Sequence, residues 1–306
     1  MPIRIPRRLP AYDALTRENI FVIASERAKH QDIRPLDFAI LNLMPTTTDT
    51  ELQFLRLLGN TPLQINITLL DVGGHEFTHA PPGHLEKFYI PASRALRTRF
   101  DGLIITGAPV ETLNFEEVDY WDSLCAIFNY ARKNVYSIMY ICWGAQAALY
   151  HNYGIKKIEL PKKLFGVFAH SVNEENSPLF RGFDDIFLAP QSRRTECDKA
   201  AIEKKTDLVI QSETPCGSPF IITGSNGREI FVTGHMEYDR WTLDKEYRRD
   251  AEKGLNPAPP INYYPNGNTT QQPVMKWKAH AHLFFSNWIN WVYQNVPYKL
   301  RKIKQI

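Results

Sequence analysis

The chain has 306 residues, 43% of them apolar and 12% aromatic, enough to bury a sizeable core in one large α/β domain or two small ones. Its net charge of +3 is small against 36 basic and 33 acidic side chains, which excludes the charge excess of a nucleic-acid-binding protein and any acidic tail. An N-terminus broken by Pro2, Arg4, Pro6, Arg7 and Arg8 gives no secretory signal, no apolar run nears the ~18 residues of a membrane span, and the 4 cysteines follow neither zinc nor disulfide spacing, so a soluble, reduced, cytoplasmic chain is expected.

In chain order, residues 38–43 form the first expected strand, and residues 48–58 a helix with Thr48 or Asp49 as its cap. Strands follow over 65–71 and 102–106, then a helix over 116–132, whose apolar face places Cys125 in the core. A strand over 136–141 runs directly into a helix over 145–153. Strands over 208–212, 220–223 and 230–233 precede two more helices, 243–253 (stopped by Gly254) and 281–293. Cys197 and Cys216 read as loop residues, and 256–272, with four prolines, reads as a loop too polar for the core. Several strands are continuous apolar runs, the composition of parallel strands covered on both faces. The prediction is an α/β fold with a doubly wound, mostly parallel sheet flanked by helices and joined by right-handed crossovers. One domain spanning 1–306 is expected, with the N-terminal arm and the segment from about 256 to 306 wrapping over the core.

Cys142 stands where the strand over 136–141 meets the following helix. Gly144, Ala145, Ala147 and Ala148 let that helix begin in little space. A nucleophile at such a turn is lifted clear of the sheet edge and faces a helix N-terminus, whose partial positive charge favours a thiolate and then an oxyanion. Far downstream, the strand over 230–233 ends in Gly234, and His235 and Glu237 follow. Residues two apart in extended chain point to the same side, so this carboxylate can orient this imidazole. A lone cysteine is more often a small buried hydrophobe than a nucleophile. The elbow and the His-x-Glu strand end set Cys142 apart from the other three. In a doubly wound sheet, ligands bind beyond the carboxyl ends of the strands, and Thr106-Gly107-Ala108-Pro109, Cys142 and Gly234-His235 all fall on that rim.

Cys142-Trp-Gly-Ala-Gln146, answered by His235-Met-Glu237, resembles the class I glutamine amidotransferase fold. Within that superfamily nearly the whole chain resembles the homoserine O-acyltransferases of methionine biosynthesis. The resemblance runs through Met1-Pro-Ile-Arg-Ile-Pro6, Ile33-Arg-Pro-Leu36, Ile40-Leu-Asn-Leu-Met-Pro45, Gln53-Phe-Leu-Arg-Leu-Leu58 and Thr106-Gly-Ala-Pro109. It continues in Arg181-Gly-Phe-Asp-Asp185, Phe187-Leu-Ala-Pro-Gln-Ser-Arg193, Val232-Thr-Gly-His235, Asn262-Tyr-Tyr-Pro265 and Asn287-Trp-Ile-Asn290.

The resemblance implies roles residue by residue. Cys142 takes the acyl group from acyl-CoA as a thioester, His235 is the general base, and Glu237 is its orienting carboxylate. Lys163 and Ser192 contact substrate, and Arg249 holds the homoserine carboxylate, a task suited to a bidentate guanidinium. Read alone, Lys163 and Arg249 are surface charges and Ser192 is a turn serine. Backbone N–H groups of Trp143 and Ala108 are expected to hold the oxyanion. Glu111, with Ser192, marks acyl-donor specificity, because acetyl-transferring members carry glutamate where succinyl-transferring members carry glycine. Two carboxylates ~4 Å apart at an effective dielectric near 20 repel by about 4 kcal/mol, so a glutamate here disfavours a succinyl group.

The expected partners are therefore L-homoserine and acetyl-CoA as co-substrate, with no bound cofactor, no metal, no nucleic acid and no membrane. A homodimer is left open. Three other readings compete: transfer from succinyl-CoA, glutamine hydrolysis or amidotransfer, and a silent relative kept for binding.

Overall fold

The computed structural model describes residues 3–17, 22–24, 34–73, 80–95 and 97–306. Parts of the expected N-terminal arm, residues 1–2, 18–21 and 25–33, lie outside the described residues. The strands are β1 (Ile3–Ile5), β2 (Val22–Ala24), β3 (Leu36–Leu41), β4 (Ile65–Asp71), β5 (Tyr89–Pro91) and β6 (Phe100–Ile105). The second half adds β7 (Val135–Ile141), β8 (Lys157–Val172), β9 (Ile186–Cys197), β10 (Leu208–Glu213), β11 (Pro219–Gly224) and β12 (Glu229–Val232).

Among the described residues these strands join one sheet in the order β2-β1-β4-β3-β6-β7-β12-β11-β10-β8-β9, with β5 beside β4. From β2 to β12 every ladder is parallel, and from β12 to β9 every ladder is antiparallel. The expected mostly parallel α/β sheet is therefore present, extended by an antiparallel wing.

The parallel half is covered on both faces, as its unbroken apolar strands require. On β3, Phe38 and Ile40 belong to one core layer with Phe285 and Trp288 of the helix Lys278–Asn295. Ala39 and Leu41 belong to the other, with the helices Trp121–Asn134 and Trp143–Tyr153. Phe38 lies 5.0 Å from Trp288 between ring centroids, and full burial of such a side chain stabilises the fold by about 1.5–3 kcal/mol. The long C-terminal helix is also tied by polar contacts, with Trp288 Nε1 donating to Ser137 Oγ at 2.9 Å.

Several elements differ from expectation. The strands β8 and β9 form a long antiparallel hairpin that no periodicity announced, since β8 contains Pro161, Gly166 and three lysines. Cys197 closes β9 and is buried rather than sitting in a loop. The region 256–272 is irregular as expected, yet Tyr263 and Tyr264 are buried in the core, and Gly166 bridges to Ile261. The helix expected from 116 starts at Trp121, because Asn114 and Glu117 form a capping box around a separate turn, Phe115–Glu117, that Val118 ends in extended conformation. The helix Thr47–Leu58 follows Thr46, without the side-chain cap expected from Thr48 or Asp49.

Candidate active site

Three neighbouring parallel strands, β6, β7 and β12, end on one rim. Thr106 and Gly107 follow β6, Cys142 follows β7, and Gly234 and His235 lie just past β12. Cys142 has φ 51° and ψ −116°, a conformation strained for any side-chain-bearing residue, and it opens the helix Trp143–Tyr153. The strain is held by backbone: Cys142 N–H donates to Val232 O at 2.7 Å, and Cys142 O accepts from Ala145 and Gln146. Gly144 is required by close approach, since a Cβ there would stand 2.5 Å from Thr106 O. Gln146 ties the helix to β9, donating to Thr195 O and accepting from Thr195 Oγ1.

The His-x-Glu geometry matches the reading of residues two apart. The Glu237 carboxylate lies 2.6 Å from His235 Nδ1, and the imidazole also hydrogen-bonds Cys142. Cys142, His235 and Glu237 are 9%, 4% and 6% exposed. Burial opposes the charged imidazole, but Cys142 and Glu237 outweigh it and hold the His235 pKa well above its ordinary value. The second carboxylate oxygen of Glu237 is buried without a hydrogen-bond partner among the described residues.

Behind His235 lies a buried polar chain. Arg193 Nε donates to Gln191 Oε1, and Gln191 Nε2 donates to His170 Nε2. Gly234 passes directly over it, since a Cβ there would come 2.7 Å from both Gln191 Oε1 and Pro190 O. His235 N–H donates to Pro190 O at 3.0 Å, so β9 fixes the height of the imidazole.

A cleft of about 280 Å³ opens over this rim, lined by Ala108, Glu111, Cys142, Trp143, Lys163, Ser192, His235 and Arg249. Glu237 lines an adjoining lobe of about 160 Å³ that shares Met44, Gly107, His235, Tyr238, Glu246 and Arg249 with the first. Every residue singled out in the sequence thus faces one continuous space. Lys163 enters it from a bulge in β8, where the register jumps between Glu159 and Leu164. Ser192 and Arg194, two apart on β9, turn to the same side. Ser192 Oγ donates to Glu246 Oε1 at 2.7 Å, and Arg194 N–H donates to Glu111 Oε2 at 2.8 Å. Lys157 braces the same loop by donating to Glu111 O at 2.6 Å and to Leu113 O.

A family described as homoserine O-succinyltransferase matches residues 2–298. A homoserine O-acetyltransferase of Petrotoga mobilis is 51% identical over 306 residues, covering 100% of this chain and 99% of the relative. One of Thermotoga neapolitana is 54% identical over 304 residues, covering 99% and 100%. The chain belongs to the homoserine O-succinyltransferase family. Solved structures similar to this family member include a glutamine amidotransferase of Thermotoga maritima, with TM-score 0.56, 12% identity, and 86% of this chain and 99% of that one covered. A protein designated SMU.1228c gives TM-score 0.55 at 16% identity, over 84% of this chain and 99% of that one. These likenesses place the fold in the class I glutamine amidotransferase group.

Two residues of this family member escaped the sequence reading. Glu246 and Asp250 lie on the helix Thr242–Glu252, with Glu246 three residues before Arg249 and four before Asp250, so Glu246 shares a helix face with each. Glu246 Oε1 receives Lys163 Nζ at 2.5 Å and Ser192 Oγ, and lies 3.9 Å from Arg249. Asp250 takes two hydrogen bonds from Arg249 and lies 3.7 Å from Lys163. On sequence alone this face looks like a solvated charged stripe. The available signal was the fixed i, i+3, i+4 spacing of Glu246, Arg249 and Asp250. Among the described residues, no group of three or more His, Cys, Asp and Glu side chains is placed to hold a metal, and no helix is long and apolar enough to cross a membrane.

Proposed function

We propose that this family member is a homoserine O-acetyltransferase, moving an acetyl group from acetyl-CoA to the side-chain hydroxyl of L-homoserine through a thioester on Cys142. The observation that carries this reading is the Glu111 carboxylate in the same cleft as Cys142, in a chain about half identical over its full length to relatives named homoserine O-acetyltransferase. The family description itself names succinyl transfer, and Glu111 argues against it here. A succinyl group would bring a second carboxylate beside one already fixed by Arg194 N–H and the Lys157 brace.

The reaction runs in two halves. His235 takes the Cys142 proton, and the thiolate attacks the acetyl carbonyl carbon. The N–H groups of Trp143 and Ala108 hold the resulting oxyanion; the Trp143 N–H is unbonded within its helix because it lies in the first turn. The carbon–sulfur bond to coenzyme A breaks, and coenzyme A leaves as the thiol with the proton from His235. Homoserine then gives its hydroxyl proton to His235 and attacks the thioester, and the bond to Cys142 breaks to release O-acetyl-L-homoserine and the thiolate. Arg249 takes the acceptor carboxylate and Glu246 its ammonium, with Lys163 and Ser192 holding Glu246 in place. Burial of the triad keeps water from hydrolysing the thioester. This activity is a cytoplasmic step of methionine biosynthesis that uses no prosthetic group.

Mass spectrometry after mixing with acetyl-CoA alone is expected to show one acetyl group on Cys142. Unmodified Cys142, with activity surviving Cys142→Ala, overturns the mechanism. A paired assay with acetyl-CoA and succinyl-CoA decides the donor.

A further inference from the structure

Tyr238 follows the His-x-Glu pair directly, and its place is unusually well determined. Its ring lies nearly parallel to the His235 imidazole, with centroids 3.9 Å apart and planes at 14°. Its carbonyl is pinned by Trp277 Nε1 at 2.8 Å, and the residue is 7% exposed. The side chain lines both lobes of the cleft. The charged and titratable groups around its phenol are Glu246 and Arg249 from the helix Thr242–Glu252, Cys142 from the elbow, and Glu237 from its own segment. Among the described residues its hydroxyl makes no hydrogen bond. Glu246 Oε1 is engaged by Lys163 and Ser192 and Glu237 Oε1 by His235, while Glu237 Oε2 has no hydrogen-bond partner among the described residues. Burial, with the negative neighbours, pushes the phenol well above its ordinary pKa, so it stays a donor at any working pH.

We propose that Tyr238 is a further substrate-binding residue, its ring held face-on against the base His235 and its hydroxyl donating a hydrogen bond to the bound amino-acid acceptor. The assignment rests on the acyl-transfer reading above. The acceptor must span from Glu246 and Arg249 to the thioester on Cys142, and the phenol lies among these groups. The stack makes the hydroxyl's position rigid, so it can act without ordering a flexible side chain on binding.

Tyr238→Phe keeps the ring and removes only the hydroxyl. Three readouts separate the roles: the pH profile of Cys142 alkylation by iodoacetamide, thioester formation from acetyl-CoA, and KM against kcat for homoserine. The expected result is an alkylation profile superposable on the parent, thioester formation retained, and a KM for homoserine raised about tenfold with a much smaller change in kcat, as for loss of one hydrogen bond to a charged ligand. An unchanged KM overturns the proposal. So does a displaced alkylation profile, which would place the hydroxyl's effect on the thiol–imidazole pair instead of the acceptor. Absence of thioester in the parent protein overturns the acyl-transfer reading itself, and is seen before any comparison of Tyr238 variants.

Discussion

The Glu237 carboxylate stands 2.6 Å from His235 Nδ1, which fixes the imidazole tautomer and leaves Nε2 as the nitrogen that serves Cys142. Replacing Glu237 by Gln keeps the shape and removes the charge. The kcat/KM is expected to fall by about two to four powers of ten. Because Glu237 and Cys142 together raise the His235 pKa against the effect of burial, loss of the Glu237 charge must lower it. The His235 titration, followed by NMR of labelled imidazole, should move to lower pH; a titration that stays in place contradicts the role given to Glu237.

Donor choice is expected to respond to Glu111→Gly. The substitution removes a carboxylate held by Arg194 N–H at the wall of the cleft that contains Cys142. Part of this cleft is open to solvent, so the full ~4 kcal/mol of an unscreened pair is an upper bound. A tenfold to hundredfold gain in the ratio of succinyl-CoA to acetyl-CoA use, measured as kcat/KM for each donor, is the expected outcome.

Gly144→Ala tests the elbow. The added methyl would press on Thr106 O at 2.5 Å, and the neighbour is backbone, which cannot swing aside. A loss of about 1–3 kcal/mol in unfolding free energy is expected, with a slower thioester step as Cys142 is displaced. Denaturant unfolding and acylation kinetics read the two effects separately.

His170 gives a pH dependence of stability. Burial, reinforced by the Arg193 charge, lowers its pKa to about 3, while the unfolded chain titrates near the ordinary 6.5. Between these values the unfolded chain binds the extra proton, so stability rises with pH through this window and falls as pH drops. From pH 7 to pH 5 the loss is about 2 kcal/mol. His170→Gln should flatten this slope in urea titrations at the two pH values, whatever its effect on stability at pH 7.

The central parallel strands β3, β4, β6, β7 and β12 were legible because each carries a mostly apolar run, whereas the short β1, β2 and β5 were not read as strands. The elbow was legible for the same reason, since Tyr136 to Ile141 and then Gly144 to Ala148 change period abruptly at Cys142. The β8–β9 hairpin was not. Its strands mix lysines, prolines and glycines, and what holds them is a buried guanidinium, Arg193, bonded to Gln191, Thr195 O and Ser218. Arg193 is 1% exposed, a burial that nothing in a run of Ser-Arg-Arg suggests. Glu246 and Asp250 stayed hidden because their partners, Lys163 and Ser192, lie far away in sequence and meet them only in the folded chain.

The placement of Ser192 and Arg194 has a consequence for selectivity. One strand holds Glu246 through Ser192 and Glu111 through Arg194, with Arg193 locked underneath. Strand β9 therefore works as a shared ruler: two graduations, a single rigid scale. Repacking around Arg193 that slides it to suit a longer acceptor would drag Glu111 along, so the two selectivities are mechanically linked and would be expected to drift together.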